Sequence, residues 1–103
     1  MDPDVMNAAK KSVDQNRLLP TEDPDTSLVE DAEHWVRVYE ELVSGKREIL
    51  HVLTERATNF TDEARAELHE TDSVTLHEEV ERFERRLSFW KARHRELSAV
   101  DPQ

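Results

Sequence analysis

The chain has 103 residues, of which 37% are charged, and its formal net charge is -10. This excess of negative charge argues against binding to nucleic acids or anionic membranes, because both depend on Lys and Arg neutralising phosphates. With one Gly, four Pro and no Cys, the composition argues against a turn-rich β fold and excludes disulfides and thiolate chemistry.

Residues 1–26 are predicted to form a flexible N-terminal tail. They hold three of the four prolines, at positions 3, 20 and 24, and a run of turn-forming residues at 21–26. Residues 5–13 fit a short helix, but nothing obliges that helix to dock. This region lacks the apolar stretch of a signal peptide, and no segment of the chain approaches ~18 consecutive apolar residues. We therefore expect a cytoplasmic protein.

The first long helix is predicted over about 27–59. Apolar residues recur through this stretch at alternating steps of four and three, the spacing of a coiled-coil seam. Thr26 or Ser27 is the expected cap, and Glu30 and Asp31 follow where the helix dipole favours negative charge. The stretch 59–62 is the natural stop of this helix, and Thr61 is the expected cap of the next one.

The second helix is predicted over about 62–98, with a possible break near 71–74, followed by a C-terminal tail at 100–103. Its apolar residues repeat at the same spacing as those of the first helix. The suspected break contains cap-forming and β-branched residues, which favour helix ends over helix interiors. Arg85, Arg86 and Arg93 crowd the far end of this helix. We expect them to neutralise acidic residues of the first helix instead of contacting nucleic acid.

The two apolar stripes are predicted to pack as an antiparallel helical hairpin. One register pairs Trp35 with Trp90 and Leu42 with Phe83, and it places Lys46 opposite Glu79 or Val80. The midpoint of that register falls at 62–63, next to the turn signals. The agreement between local and long-range signals supports an all-α, coiled-coil-like hairpin.

This register divides the apolar residues into a core and a second surface. The predicted hairpin core is Leu28, Trp35, Tyr39, Leu42, Ile49, Leu53, Leu76, Val80, Phe83, Leu87, Trp90 and Leu97. The predicted interaction surface is Val29, Val36, Val38, Val43, Leu50, Val52 and Phe89. An isolated two-helix hairpin buries one face only, so we expect this surface to pair two hairpins into a dimeric four-helix bundle or to bind another helical protein.

Glu48 and His51 are the candidate metal ligands, because a Glu-x-x-His pair on a helix is the unit of di-iron bundle sites. The hairpin register points both side chains to solvent, so no metal site, cofactor or catalytic residue is predicted. The expected function is therefore a non-enzymatic one, an interaction, adaptor or regulatory protein acting through an exposed apolar helix face. Two alternatives are a ferritin-like or other bundle enzyme built from hairpin dimers, and an acidic mimic that blocks a basic site on a partner.

Overall fold

The computed structural model describes residue 14 and residues 16–100, with Val100 described by its backbone alone. Helix α1 spans Val29–Ala57, α2 spans Asp62–Leu68 and α3 spans Val74–Val100, with a π-helical segment, His69–Ser73, between α2 and α3. Over these residues every regular element is helical, and α1 packs along α3. The predicted helical hairpin is confirmed.

The turn between α1 and α2 lies where the stretch 59–62 predicts it. Thr58 ends α1, and the Thr61 hydroxyl accepts a hydrogen bond from the Ala64 amide at 3.2 Å, as expected of a cap. The start of α1 differs from expectation, because Leu28 precedes the first turn and caps it without a side-chain hydrogen bond. Thr26 instead donates its hydroxyl hydrogen to Asp31 Oδ2 at 2.6 Å.

The weak spot near 71–74 is a widened helix and not a break. In the π-helical segment and the first turn after it, three side chains hydrogen-bond to main-chain carbonyls four residues earlier: Thr71 to Glu67, Thr75 to Thr71 and His77 to Ser73. Side chains that compete for these carbonyls loosen the regular α ladder. One additional residue enters the turn, and the helix continues without reversing.

The buried core occupies only the half of the hairpin that is remote from the turn. We call residues 29–45 with 80–100 the proximal half, and residues 46–79 the distal half. The buried apolar side chains of the proximal half are Ala32, Trp35, Tyr39, Val43, Val80, Phe83 and Trp90. Among the described residues of the distal half, only Ala57 is buried. The two halves of one hairpin are therefore packed very differently.

The predicted register holds where it can be measured. Trp35 and Trp90 stack with their ring centroids 6.3 Å apart, and Lys46 Nζ lies 3.4 Å from Glu79 Oε1. Leu42, Leu87 and Leu97 pack half-buried against the core. Leu53 and Leu76 are also half-buried.

Three of the predicted positions are wrong. Leu28 and Ile49, expected in the core, are 56% and 52% exposed, whereas Val43, expected on the interaction surface, is only 7% exposed. Leu28 precedes the helix and so lies outside its inner face. A straight helix drifts by ~20° per heptad from a strict seven-residue repeat. Two heptads beyond Trp35, this drift turns Ile49 outward and leaves Val43 and Ala57 on the inner line.

None of the described helices combines the length and the apolar character needed to cross a membrane.

Candidate interaction surface

Residues 16–28, which we call the strap, lie against the proximal half of the hairpin. Leu19 packs on the aromatic core, Thr26 is buried, and the Thr26 carbonyl accepts a hydrogen bond from Arg93 Nη2 at 2.9 Å. This docking differs from the free tail expected for residues 1–26. Residues 1–13 and 15 of that tail, and the tail after residue 100, lie outside the described part.

Glu22 fastens the strap to both long helices. Its Oε1 accepts hydrogen bonds from the Tyr39 hydroxyl at 2.6 Å and from the Leu19 amide at 2.9 Å. Its Oε2 accepts from Trp90 Nε1 at 2.7 Å and from Arg86 Nη2 and Nε at 2.6 and 3.1 Å. The Glu22 side chain is 0% exposed. A buried carboxylate is thus neutralised by Arg86 and has donors on both oxygens, as a charge removed from water requires.

Burial and hydrogen bonding act in opposite directions on the pKa of Glu22. Burial raises it, but the hydrogen bonds from Tyr39, Leu19, Trp90 and Arg86 together outweigh burial and lower the pKa below its ordinary value. Burial of Tyr39 and its hydrogen bond to the Glu22 carboxylate raise the pKa of the Tyr39 phenol well above its usual range. At neutral pH the pair is therefore a carboxylate that accepts from a neutral phenol.

The strap should make the protein acid-sensitive. A carboxyl group whose pKa is lower in the folded state than in the unfolded state stabilises the fold when it is ionised. The pKa of an unfolded Glu is ~4.3, so this stabilisation is complete above about pH 5. It is lost as the pH falls through the folded-state pKa. We expect the free energy of unfolding in urea to fall below about pH 5 more steeply for the wild-type chain than for Glu22→Gln. Equal slopes for the two proteins would contradict a lowered pKa at Glu22.

The strap covers a basic, aromatic face of α3. The Arg82 guanidinium lies 4.6 Å from the Phe83 ring centroid, and the Arg86 guanidinium lies 4.5 Å from that of Phe89. Burial lowers the pKa of Arg82, and the positive charge of Arg17 in the strap lowers it further. Intramolecular neutralisation of the basic end was predicted, but Arg86 pairs with Glu22 of the strap and not with the acidic first turns of α1.

A groove opens between α1 and α3 in the distal half. It has a volume of about 390 Å³ and is lined by Ile49, Leu53, Asp72, Thr75, Leu76 and Glu79. We call it the distal groove. A smaller hollow of about 190 Å³ lies closer to the turn, where Leu53 and Leu68 face each other. The large apolar side chains of the distal half that are exposed are Ile49, Val52, Phe60 and Val74.

The distal half is acidic as well as incompletely packed. Residues 46–79 include nine Asp and Glu but only four Lys and Arg. Lys46 forms a salt bridge with Glu79 at the end of the distal groove. Arg65 forms one with Asp62 near the turn, with Nη2 2.9 Å from Oδ1. An apolar groove with acidic surroundings attracts apolar segments that carry basic residues, and it repels acidic ones.

The predicted interaction surface is divided by the fold. Val36 and Val38 pack half-buried on the proximal core, with Val43 inside it. Val29 and Leu50 are half-buried, and Val52 is exposed. Phe89 is 36% exposed, and its ring meets Trp90 edge-on with centroids 5.2 Å apart. Leu50 and Val52 are thus the members of the predicted surface that belong to the distal half.

The candidate metal ligands Glu48 and His51 are both exposed. His51 Nε2 lies 3.2 Å from Glu55 Oε1, one helical turn further along α1. Within residues 14 and 16–100, no group of three or more His, Cys, Asp or Glu side chains is arranged to hold a metal ion.

No protein-family model, no curated protein and no solved structure matches this chain.

Proposed function

We propose that this protein is a non-enzymatic interaction module whose distal half binds a helical segment of a partner protein. The segment would carry apolar residues flanked by Lys or Arg. The observation that carries the proposal is the distal groove, where Ile49, Leu53 and Leu76 lie beside Asp72 and Glu79. Amphipathic helices bind in grooves of this kind through apolar residues spaced one turn apart.

The contrast between the two halves supports this choice of site. The proximal half buries four of its five aromatic residues and is covered by its own strap, so its inner surface is already used. The distal half has no third element over it among the described residues, and Ile49 remains 52% exposed. Covering an apolar side chain of this size contributes about 1.5–3 kcal/mol when burial is complete.

The charge of the distal half favours a basic partner over a second copy of the chain. Two distal halves would bring like charges together, since acidic residues outnumber basic ones there by nine to four. Like-charge contacts across an interface cost free energy and suppress wrong partners. The dimeric four-helix bundle stays a prediction, and light scattering on the purified protein tests it, because a dimer has twice the mass of the 12.1 kDa chain.

Replacing Ile49 by glutamine should weaken binding to a basic amphipathic peptide by about tenfold, or 1.4 kcal/mol. The probe is a fluorescein-labelled, 14-residue helix of Leu and Lys, titrated by fluorescence anisotropy. Leu28→Gln is the matched control, because Leu28 is equally apolar and similarly exposed but lies at the opposite end of the hairpin. We expect Leu28→Gln to bind the probe as the wild-type chain does.

Two results would contradict the proposed site. Equal weakening by Ile49→Gln and Leu28→Gln would show that contact is not confined to the distal half. Binding that is insensitive to both variants, but is abolished by 0.5 M salt, would favour the acidic mimic, because purely electrostatic contacts between exposed charges are screened at high ionic strength.

A further inference from the structure

The strap follows one face of α3 toward the turn. Read from α1 backwards, Thr26 meets Arg93, and Glu22 then meets Trp90 and Arg86. Arg17 and Asp14 come next, close enough to Arg82 for their charges to act on it. On α3 these contacts step from 93 to 90, 86 and 82, which is the three- and four-residue spacing of one helix face.

The same helix face continues from Arg82 along α3 and into the π-helical segment, where it lines the distal groove. The residues that follow Arg82 at this spacing are Glu79, Leu76 or Thr75, and Asp72, which all line the groove. Arg82 and Asp72 are ten residues apart, a distance of roughly 15 Å along a helix. Thirteen residues precede Asp14 in the sequence, and even in a helical conformation they would span about 20 Å. The groove is therefore within reach of the chain that precedes the strap.

Residues 5–13 have the chemistry that the groove requires, and the two acidic residues of the segment, Asp2 and Asp4, precede them. Their apolar positions recur at the spacing of one helix face: Val5, Met6, Ala9 and Val13. Lys10 and Lys11 are two of only four lysines in the chain. The two lysines precede the strap, which is acidic and lies against a basic part of α3. The part of the same helix face that comes next, at Glu79 and Asp72, is acidic. Lys10 and Lys11 would thus meet the acidic part of that face, as Glu22 meets its basic part.

We propose that residues 1–13 bind the distal groove of their own chain, with their apolar face on Ile49, Leu53 and Leu76, and with Lys10 and Lys11 toward Asp72 and Glu79. This inference rests on the proposed function, since it assigns to that same groove a tethered occupant. A partner helix must then displace the segment, and intramolecular competition sets the affinity that the partner experiences.

A disulfide trap tests the contact in the full chain. The natural sequence has no cysteine, so the double variant Met6→Cys/Leu76→Cys contains a single possible intramolecular pair. The control is Met6→Cys/Ser44→Cys, because Ser44 is exposed and lies on the face of α1 turned away from the groove. Under mild oxidation at low protein concentration, we expect the Leu76 pair to close at least ten times faster than the control pair. Equal rates would overturn the proposal.

A second pair guards against a local folding defect. If circular dichroism shows that Leu76→Cys unfolds the protein, Val5→Cys/Leu53→Cys replaces it, with Val5→Cys/Ser44→Cys as control and the same expected ratio.

The variant Met6→Asp should bind the Leu–Lys probe about ten times more tightly than the wild-type chain, because it frees the groove. Unchanged affinity would overturn the proposal.

These outcomes separate the tethered occupant from the interaction module. Equal closure rates combined with a loss of probe binding in Ile49→Gln would remove the occupant and keep the module. Fast closure of the Leu76 pair combined with probe binding that Ile49→Gln leaves unchanged would keep the contact and remove the module.

Discussion

Replacing Glu22 by alanine should lower the free energy of unfolding by about 3–5 kcal/mol, the usual cost of removing one member of a buried ion pair. The substitution leaves the guanidinium of Arg86 without its carboxylate, and it removes the acceptor of the Tyr39 hydroxyl and the Trp90 indole N–H. A domain of this size has a total stability on the order of 5–15 kcal/mol. Urea unfolding monitored by circular dichroism measures the loss.

Two further variants identify the cause of that loss. Glu22→Gln keeps the size of the side chain but not its charge, and we expect it to cost about 1.5–3 kcal/mol, the range for hydrogen bonds to charged groups. Glu41→Gln makes the same change at an exposed position of α1 and should stay within about 0.5 kcal/mol of wild type. If Glu22→Ala resembled Glu41→Gln, the strap would contribute nothing to the fold.

Replacing Trp90 by alanine should cost about 3–5 kcal/mol, as expected for deleting a large aromatic side chain from a core. Trp90 is 0% exposed, stacks on Trp35 and donates its indole hydrogen to Glu22. It therefore joins α1, α3 and the strap at one point. Thermal unfolding followed by circular dichroism should show a greatly lowered midpoint or no cooperative transition.

The matched control for Trp90→Ala is Phe60→Ala, which removes an aromatic ring that is 44% exposed at the turn. We expect this control to change stability by less than about 1 kcal/mol, in line with other surface substitutions. A loss at Phe60 as large as that at Trp90 would contradict the conclusion that the proximal half holds the fold together.

The hairpin was predictable because its determinants are periodic and local. Apolar residues at heptad spacing define two helix faces, the Thr61 cap marks the turn, and the position of the turn selects the pairing of Trp35 with Trp90. Core membership was less predictable, because a strict seven-residue repeat and a straight helix diverge. This drift explains the exposure of Ile49 and the burial of Val43.

The strap was not predictable from such patterns. Glu22 lies in a run of polar, turn-forming residues, and its partners Arg86 and Trp90 are 64 and 68 positions away. No periodicity links one buried carboxylate to donors at that separation. Leu19, three residues before Glu22, was the available signal, since an apolar residue in a polar tail indicates a contact with a core. The distal groove does not follow from the heptad pattern either, because that pattern assigns the apolar side chains of the groove to the core.

The π-helical segment His69–Ser73 keeps the apolar face of α2 aligned with the apolar face of α3. Leu68 and Leu76 are eight residues apart, which in a regular α-helix of 3.6 residues per turn would rotate one by about 80° relative to the other. A π turn takes up about one residue more than an α turn, so eight residues here advance the helix as seven ordinarily would. Both leucines consequently face α1, where they are half-buried. The length of the segment between α2 and α3 thus sets the rotation of their apolar faces about the helix axis. The helix can hold one additional residue there without turning its apolar side to water.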